Sequence, residues 1–264
     1  MNDTRTNRMP AVFVGHGSPM NALEDNAWTR GWESLGARIG KPAAILAVSA
    51  HWLTHGTAVT AMEAPPTIHD FGGFPQALFD IQYPAPGSPA LAERVRDLLA
   101  PLEVMLDDEW GLDHGTWSVL HKMFPQADIP VLQLSMDADQ PPSFHLALGE
   151  RLRPLRDEGV LILATGNVVH NLRTIRWNSK EGYDWAERFN TRIRGLLERG
   201  DVAALADTSQ WDDDARRAVP TIEHYLPLLY VAGARREDEP FEIVIDGLEM
   251  GSISMLSVAA GLPR

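Results

Sequence analysis

Gly15-His16-Gly17-Ser18-Pro19 follows the apolar run Ala11-Val12-Phe13-Val14, so a histidine stands where a short buried strand would give way to a loop. The arrangement occurs twice more, because two further apolar runs lead to His51 and to His170. The carboxyl ends of parallel strands meet at one edge of an α/β sheet, and ligands bind there. We therefore expect these three histidines to converge at one site.

Short continuous apolar stretches at 43–50, 129–136 and 160–165 predict buried strands, since each is bounded by turn residues. Between these stretches, apolar residues recur at the spacing of a helix. Strands that alternate with helices are typical of the α/β class. We predict a three-layer α/β fold with a central, mostly parallel or mixed β-sheet flanked by helices.

Apolar spacing predicts helices at 88–99, at 184–199 and at 221–232. Ser88 is a suitable N-cap for the first of them, because a proline follows at the first helical position. The chain shows no internal repeat, low-complexity tract or linker. We therefore predict a single domain over residues 1–264.

The composition excludes several classes of function. The chain carries a formal net charge of -13, which argues against a nucleic-acid partner because phosphate binding requires clustered Lys and Arg. The sequence contains 0 cysteines, so a metal would be held by imidazole or oxygen ligands. No apolar run reaches the length of a membrane span or a signal peptide, and we predict a cytoplasmic protein with no membrane partner.

The segment 54–87 breaks the regular pattern. Its part from Ile68 to Pro75 is rich in aromatic residues and glycine, a composition suited to a lid or a pocket wall. A plain surface loop remains the alternative. Within this loop His69 is placed to reach a substrate.

The histidines differ in how strongly their positions indicate a metal-binding or catalytic role. His16 and His51 directly follow buried runs and are predicted metal ligands. His170 is predicted to be either a ligand or a nearby base. His114 is predicted to lie in a loop, where the adjacent carboxylate of Asp113 would fix its tautomer for a catalytic role.

The sequence pattern around His224 is weaker evidence for a functional role. A helical histidine beside Tyr225 and Leu226 is most often packed in the core. The sequence does not favour a serine hydrolase, a nucleotide-binding enzyme or a common metalloprotease. It has no nucleophile elbow, no Walker lysine, no dinucleotide fingerprint and no His-Glu-x-x-His motif.

Nearly the whole chain resembles the class III extradiol ring-cleaving dioxygenases, in particular their 4,5-DOPA dioxygenase-like branch. The motifs that carry the resemblance are Gly15–Pro19, Ser49–Trp52, Ile68–Pro75, Leu112–Trp117, Gly166–Leu172 and Glu223–Pro227.

The resemblance implies a role for each of five histidines. His16, His51 and His224 would be the metal ligands, His170 the acid/base beside the metal, and His114 a second catalytic histidine. The protocatechuate branch of the superfamily is expected to use a glutamate as its third ligand. An all-imidazole set suits zinc as well as iron, so Fe(II) is expected for activity and Zn(II) is an alternative bound metal.

The resemblance further implies an oxidoreductase that inserts O2 into a small aromatic diol, DOPA-like or another catechol, to give a ring-opened semialdehyde. By this resemblance, the predicted substrate-binding residues are Ser18, His69 and Asn171. Two alternatives stay open at this point: a zinc-dependent hydrolase with the same histidines, and a non-catalytic relative on the same fold that binds metal or peptide. The oligomeric state, monomer or homodimer, is open as well.

Overall fold

Strands and helices alternate along most of the chain in the computed structural model, which describes residues 8–177, 179 and 181–263. The strands are β1 (Ala11–Gly15), β2 (Ala44–Ser49), β3 (Leu53–Thr54), β4 (Thr57–Thr60), β5 (Val104–Asp107), β6 (Val131–Gln133), β7 (Met136–Asp137), β8 (Val160–Gly166), β9 (Phe241–Ile245), β10 (Leu248–Glu249), β11 (Ile253–Ser254) and β12 (Ser257–Ala260). The α-helices are α1 (Ala27–Ile39), α2 (Gln76–Phe79), α3 (Pro89–Leu99), α4 (His114–Met123), α5 (Pro142–Asp157), α6 (Asp184–Arg199), α7 (Val202–Ala206), α8 (Asp213–Ala218) and α9 (Leu226–Ala234).

The main sheet has the strand order β6-β2-β8-β1-β12-β9. Its first four strands are parallel to one another, whereas β12 pairs antiparallel with both β1 and β9. The sheet is therefore mixed but mostly parallel, as predicted. The three strands that precede His16, His51 and His170 are direct neighbours in it.

Both faces of the sheet are covered. Along β1, Ala11 and Phe13 pack into one apolar core and Val12 and Val14 into the other, because successive residues of a strand point to opposite faces. Helices α5, α6 and α9 supply buried side chains to the first core, and α1 and α4 supply them to the second. The predicted three-layer α/β architecture is confirmed.

Two predicted helices agree closely with the structure. Helix α6 has the predicted bounds, and α3 begins behind Ser88, whose Oγ accepts a hydrogen bond from Leu91 N. None of the helices in the described part of the chain combines the length and apolar character needed to cross a bilayer.

Two predicted elements differ from the structure. The stretch 129–136 is not one strand but divides into β6 and β7. Between them Ser135 pairs with Ala58 of β4, because Ser135 N donates to Ala58 O and Ser135 Oγ accepts from Ala58 N. The helix predicted at 221–232 begins only at Leu226. Pro227 lacks a backbone N–H and therefore favours the first turn of a helix, which leaves His224 in the turn before it.

Candidate metal centre and active site

The carboxyl edge of the main sheet brings the predicted histidines together. His16 follows β1 directly, and its backbone N–H donates to Gly166 O at the end of β8. His51 follows β2, and Ala50 N donates to Thr165 O on the same neighbouring strand. The predicted convergence of His16 and His51 is therefore present in the structure.

His224 reaches this edge from a distant part of the chain. Its carbonyl oxygen accepts a hydrogen bond of 2.9 Å from Asn167 N. The approach requires glycine at position 166, because a Cβ there would lie 2.3 Å from His224 O. The turn before α9 thus lies against the end of β8, and the buried imidazole joins His16 and His51.

One nitrogen from each of His16, His51 and His224 lies within 4.8 Å of the other two. The Nε2 atoms of His16 and His51 are 3.2 Å apart. Two imidazole nitrogens bound to one ion at roughly 2.0–2.1 Å would be about 2.9–3.4 Å apart. The donor set and its spacing therefore fit a single divalent metal ion.

Carboxylates contact the other nitrogen of two of these rings. His51 Nδ1 lies 3.4 Å from Asp70 Oδ2, and His224 Nδ1 lies 3.4 Å from Glu223 Oε1. Metal-binding histidines usually donate their second N–H to such an acceptor, which fixes the tautomer. His224 Nε2 is buried and has no hydrogen-bond partner among the described residues, as expected for an atom reserved for a metal.

Burial keeps these imidazoles neutral. Desolvation lowers the pKa of His16 and of His224 well below the usual histidine value, and neighbouring histidines lower both further. Desolvation, together with the charge of His114, also lowers the pKa of His51 to about 4. Neutral imidazole is the form that binds metal, so the rings are available as ligands at neutral pH.

His170 lies beside the trio in a stacked arrangement. Its ring centroid is 3.5 Å from that of His224, and the two rings are nearly parallel. Burial lowers the pKa of His170 to about 4, although the Glu223 carboxylate opposes this effect. A half-buried neutral imidazole next to the predicted metal ligands is suited to accept a proton.

His114 lies on the opposite side of the trio. Its ring centroid is 3.9 Å from that of His51. Asp70 Oδ1 accepts hydrogen bonds of 2.9 Å from both the backbone N and Nδ1 of His114. Burial by itself would raise the pKa of Asp70, but the hydrogen bonds and charge of His114 lower it to about 2, so the carboxylate stays ionised.

The sequence prediction for His114 was wrong in two respects. His114 does not lie in a loop but is the first residue of α4. Asp113 does not contact its ring. Instead Asp113 caps the helix by accepting from Thr116 N, and it binds Ser49 Oγ and Gln133 Nε2. The tautomer of His114 is set by Asp70.

Asp70 is the main functional residue that the sequence reasoning missed. Asp70 lies in the predicted pocket-wall loop directly after His69. Its position as a carboxylate among aromatic residues and glycines was the sequence feature that could have indicated a role. The same loop places Phe71 with its ring 5.5 Å from that of His114, edge to face. Segment 54–87 therefore contributes a wall of the site.

The three predicted substrate-binding residues make hydrogen bonds within the protein. Ser18 Oγ accepts from Met20 N at a short 3-10 helix, and Asn171 Oδ1 accepts from Arg173 N at another. His69 Nε2 contacts Ile81 O at 3.0 Å, and its ring packs against Trp117. Substrate contact by these three residues stays a prediction.

Comparison with known proteins identifies the family. Residues 10–261 match the family described as the catalytic LigB subunit of aromatic ring-opening dioxygenase. A protein named 4,5-DOPA dioxygenase extradiol from Escherichia coli (strain K12) is 57% identical over 258 residues, which cover 96% of this chain and 95% of the relative. A Beta vulgaris protein of the same name is 38% identical over 248 residues, with 92% of each chain covered.

The fold agrees with a solved structure. The crystal structure of an uncharacterized protein from Escherichia coli K12 matches with a TM-score of 0.84 and 50% identity, covering 96% of this chain and 99% of the other. These matches favour ring opening over the hydrolase and over the non-catalytic relative. The chain belongs to the LigB family and is an extradiol aromatic ring-opening dioxygenase.

Proposed function

We propose that this enzyme opens the ring of a small catechol, DOPA or a related compound, with a ferrous ion held by His16, His51 and His224. The observation that carries the proposal is the 3.2 Å separation of His16 Nε2 and His51 Nε2, with a His224 nitrogen within 4.8 Å of both. The substrate class rests on the names of the two relatives, which cover more than nine-tenths of the chain.

Enzymes of this family depend on a metal. Imidazole ligands accept both iron and zinc, but zinc has no redox chemistry. When bound at the trio, a ferrous ion would supply the redox-active centre at which a catechol and O2 are brought into contact. We therefore propose Fe(II) as the working metal and Zn(II) as an ion that occupies the same ligands without turnover.

His170 is the proposed general base. Its neutral ring stacks on His224 and is placed to accept a proton from a catechol hydroxyl. Loss of that proton makes the ring more electron-rich and prepares it for attack by O2. The protonated imidazole can later return the proton as the ring opens.

His114 is the proposed hydrogen-bond donor on the other side of the centre. Because Asp70 engages Nδ1, the remaining nitrogen Nε2 can face the reacting oxygen atoms. A donor held in place before reaction stabilises negative charge as it develops on oxygen. In the product both oxygen atoms of O2 are retained, and the carbon–carbon bond beside the diol is broken.

The aromatic diol and O2 are the reactants that the family implies. The net charge of -13 supports the further proposal that the chain has no nucleic-acid partner. A cytoplasmic location, the absence of a membrane partner and the choice between monomer and homodimer stay predictions.

Anaerobic reconstitution tests the proposal. Metal-stripped protein is loaded with Fe(II) or Zn(II), and O2 is then admitted with a panel of small catechols that includes DOPA. We expect yellow semialdehyde absorbance and O2 consumption with iron alone. The product should disappear in His170→Gln and persist in His121→Gln, because His121 lies on α4 outside the histidine cluster. No product from any catechol, with iron bound to the trio, would contradict the proposal.

A further inference from the structure

Glu249 is half-buried, with one buried carboxyl oxygen, and lies near the histidine cluster. Glu249 is in β10 and pairs with Ile253 in β11, and Ile253 in turn forms an antiparallel bridge with His170. Residues directly opposite each other in antiparallel strands point to the same face. Glu249 and His170 therefore share a face, with their backbones about 10 Å apart, which is two strand spacings.

A second contact places Glu249 near His16. A Cβ at Gly17 would lie 3.0 Å from Glu249 Oε2 and 2.6 Å from Met255 Sδ. The carboxyl group thus lies against the residue that follows His16. Glu249 therefore lies against the segment that carries a proposed metal ligand, and β11 separates it from the segment that carries the proposed base.

Glu249 Oε2 is buried and has no hydrogen-bond partner in the described part of the chain. No described Lys, Arg or His forms a salt bridge with this residue either. Burial raises its pKa to about 7, and the nearby charge of Glu24 adds to the effect. A carboxyl group with a buried, unpartnered oxygen is costly to ionise, so a cation brought against this half-buried group from outside would stabilise its charge.

We propose that Glu249 binds the ammonium group of a catecholic amine and so selects substrates with a cationic side chain. The inference rests on the proposed function, because it takes the diol to bind at His16, His51 and His224. With the diol there, a short side chain on the ring extends away from the ligand nitrogens. The backbone of Glu249 lies about two strand spacings from that of His170 on the same face, so an amine at the end of the substrate's side chain can reach the carboxylate.

The first test compares Glu249→Gln with wild type on two substrates. Glutamine keeps the size of the side chain and removes its charge. We expect kcat/KM for dopamine to fall roughly ten- to hundred-fold, mainly through KM, as for a lost hydrogen bond to a charged group. For 4-methylcatechol, which has no amine, kcat/KM should stay within about twofold.

Glu24→Gln is the matched control, since it removes a neighbouring carboxylate that is exposed. Glu24→Gln should lower kcat/KM for dopamine much less than Glu249→Gln does. Equal losses for dopamine and 4-methylcatechol in Glu249→Gln would indicate a structural role and overturn the proposal. An unchanged KM for dopamine would overturn it as well.

A binding measurement separates this proposal from the proposed function. Tyramine and 4-methylphenol are not catechols, and their affinities for the zinc-loaded protein can be compared by calorimetry. Wild type should bind tyramine roughly ten-fold more tightly or better, and Glu249→Gln should lose that preference. If no catechol is turned over but the preference is present, the proposed function fails and the ammonium site stands. If wild type shows no preference, the ammonium site is wrong.

Discussion

The imidazoles of the site use their two nitrogens for different purposes. In His51 and His224, Nδ1 lies beside a carboxylate and Nε2 is directed to the centre of the trio. Asp70 contacts two of the rings, because its Oδ2 lies near His51 Nδ1 and its Oδ1 accepts a hydrogen bond from His114 Nδ1. The charge of this carboxylate therefore orients a proposed metal ligand and the proposed hydrogen-bond donor together.

Replacing His170 should separate metal binding from catalysis. We expect His170→Gln to lower kcat by roughly 10²–10⁴-fold, because the general base is lost while the three ligands stay. Iron content per chain, measured by elemental analysis, should match that of wild type. A variant that keeps its rate, or that loses its iron, would show that His170 has another role.

Replacing Asp70 should weaken the site without removing a ligand. We expect Asp70→Asn to lower metal affinity or kcat/KM by roughly 10–100-fold, because the asparagine no longer offers a charged acceptor to both His51 and His114. Competition with a chelator and steady-state kinetics would measure the two quantities. Asp80→Asn is the control, since Asp80 is exposed and its carboxylate accepts, among the described residues, only from Gln76. Equal behaviour of the two variants would argue against the role given to Asp70.

At the scale of elements, close helix contacts hold the layer behind the sheet. Helices α5 and α9 approach each other through glycines, because a Cβ at Gly149 would lie 2.3 Å from Tyr230 O and one at Gly233 would lie 2.1 Å from Leu146 O. Helix α9 begins just after His224 and packs on β8 as well. The contact thus determines where the third proposed ligand lies.

Gly149→Ala should destabilise the protein. The new methyl group meets backbone atoms that cannot move aside, and we expect a loss of roughly 1–3 kcal/mol in the free energy of unfolding. Gly195→Ala on α6 is the matched control. Its Cβ would meet only the flexible end of Arg199, and alanine should stabilise the helix by roughly 0.5–1 kcal/mol. Urea unfolding of both variants measures the difference, and a neutral Gly149→Ala would contradict the packing argument.

At the scale of the whole molecule, the two apolar cores share one sheet. Alternate residues of β1 and β2 enter opposite cores, so neither layer can separate without exposing the other face. We therefore propose that residues 1–264 form a single domain. Its acid stability depends on histidines that are buried in the neutral form.

A shared sheet predicts one cooperative unfolding transition. Circular dichroism and tryptophan fluorescence should give the same urea midpoint, because Trp32 and Trp117 lie in one core and Trp185 lies in the other. Two midpoints that differ between the probes would show that the layers unfold separately, and the single-domain proposal would then be wrong.

The buried His145 should make the protein less stable in mild acid. Burial lowers its pKa from 6.5 to about 4. The unfolded chain therefore binds a proton before the folded chain does, and stability present above pH 6.5 falls as the pH drops toward 4, by up to about 3 kcal/mol.

His145→Asn tests this pH dependence, because asparagine can still meet Tyr230 Oη and does not titrate. Urea unfolding between pH 4 and pH 7 should show a shallower slope in this variant. His55→Asn is the control, since His55 is exposed and the Asp139 carboxylate raises its pKa instead. A slope unchanged by His145→Asn would contradict the prediction.

Much of the fold and part of the site were predictable from local patterns. Apolar runs identified the strands that precede His16, His51 and His170, and helical spacing identified α6 with its bounds. Such patterns suffice because burial of one face or one run is imposed residue by residue along a single element. The break in 129–136 was missed, since it depends on hydrogen bonds between Ser135 and Ala58, which are far apart in the sequence.

The sequence by itself therefore determined the α/β class, the buried strands that precede His16, His51 and His170, and the position of these histidines beyond the strand ends. Only the tertiary structure decided that Asp70 orients His114, that His224 lies in a turn against Gly166, and that Glu249 lies beside Gly17. Each of these contacts joins segments far apart in the chain. No local period specifies such a contact, because it arises from the packing of whole elements against one another.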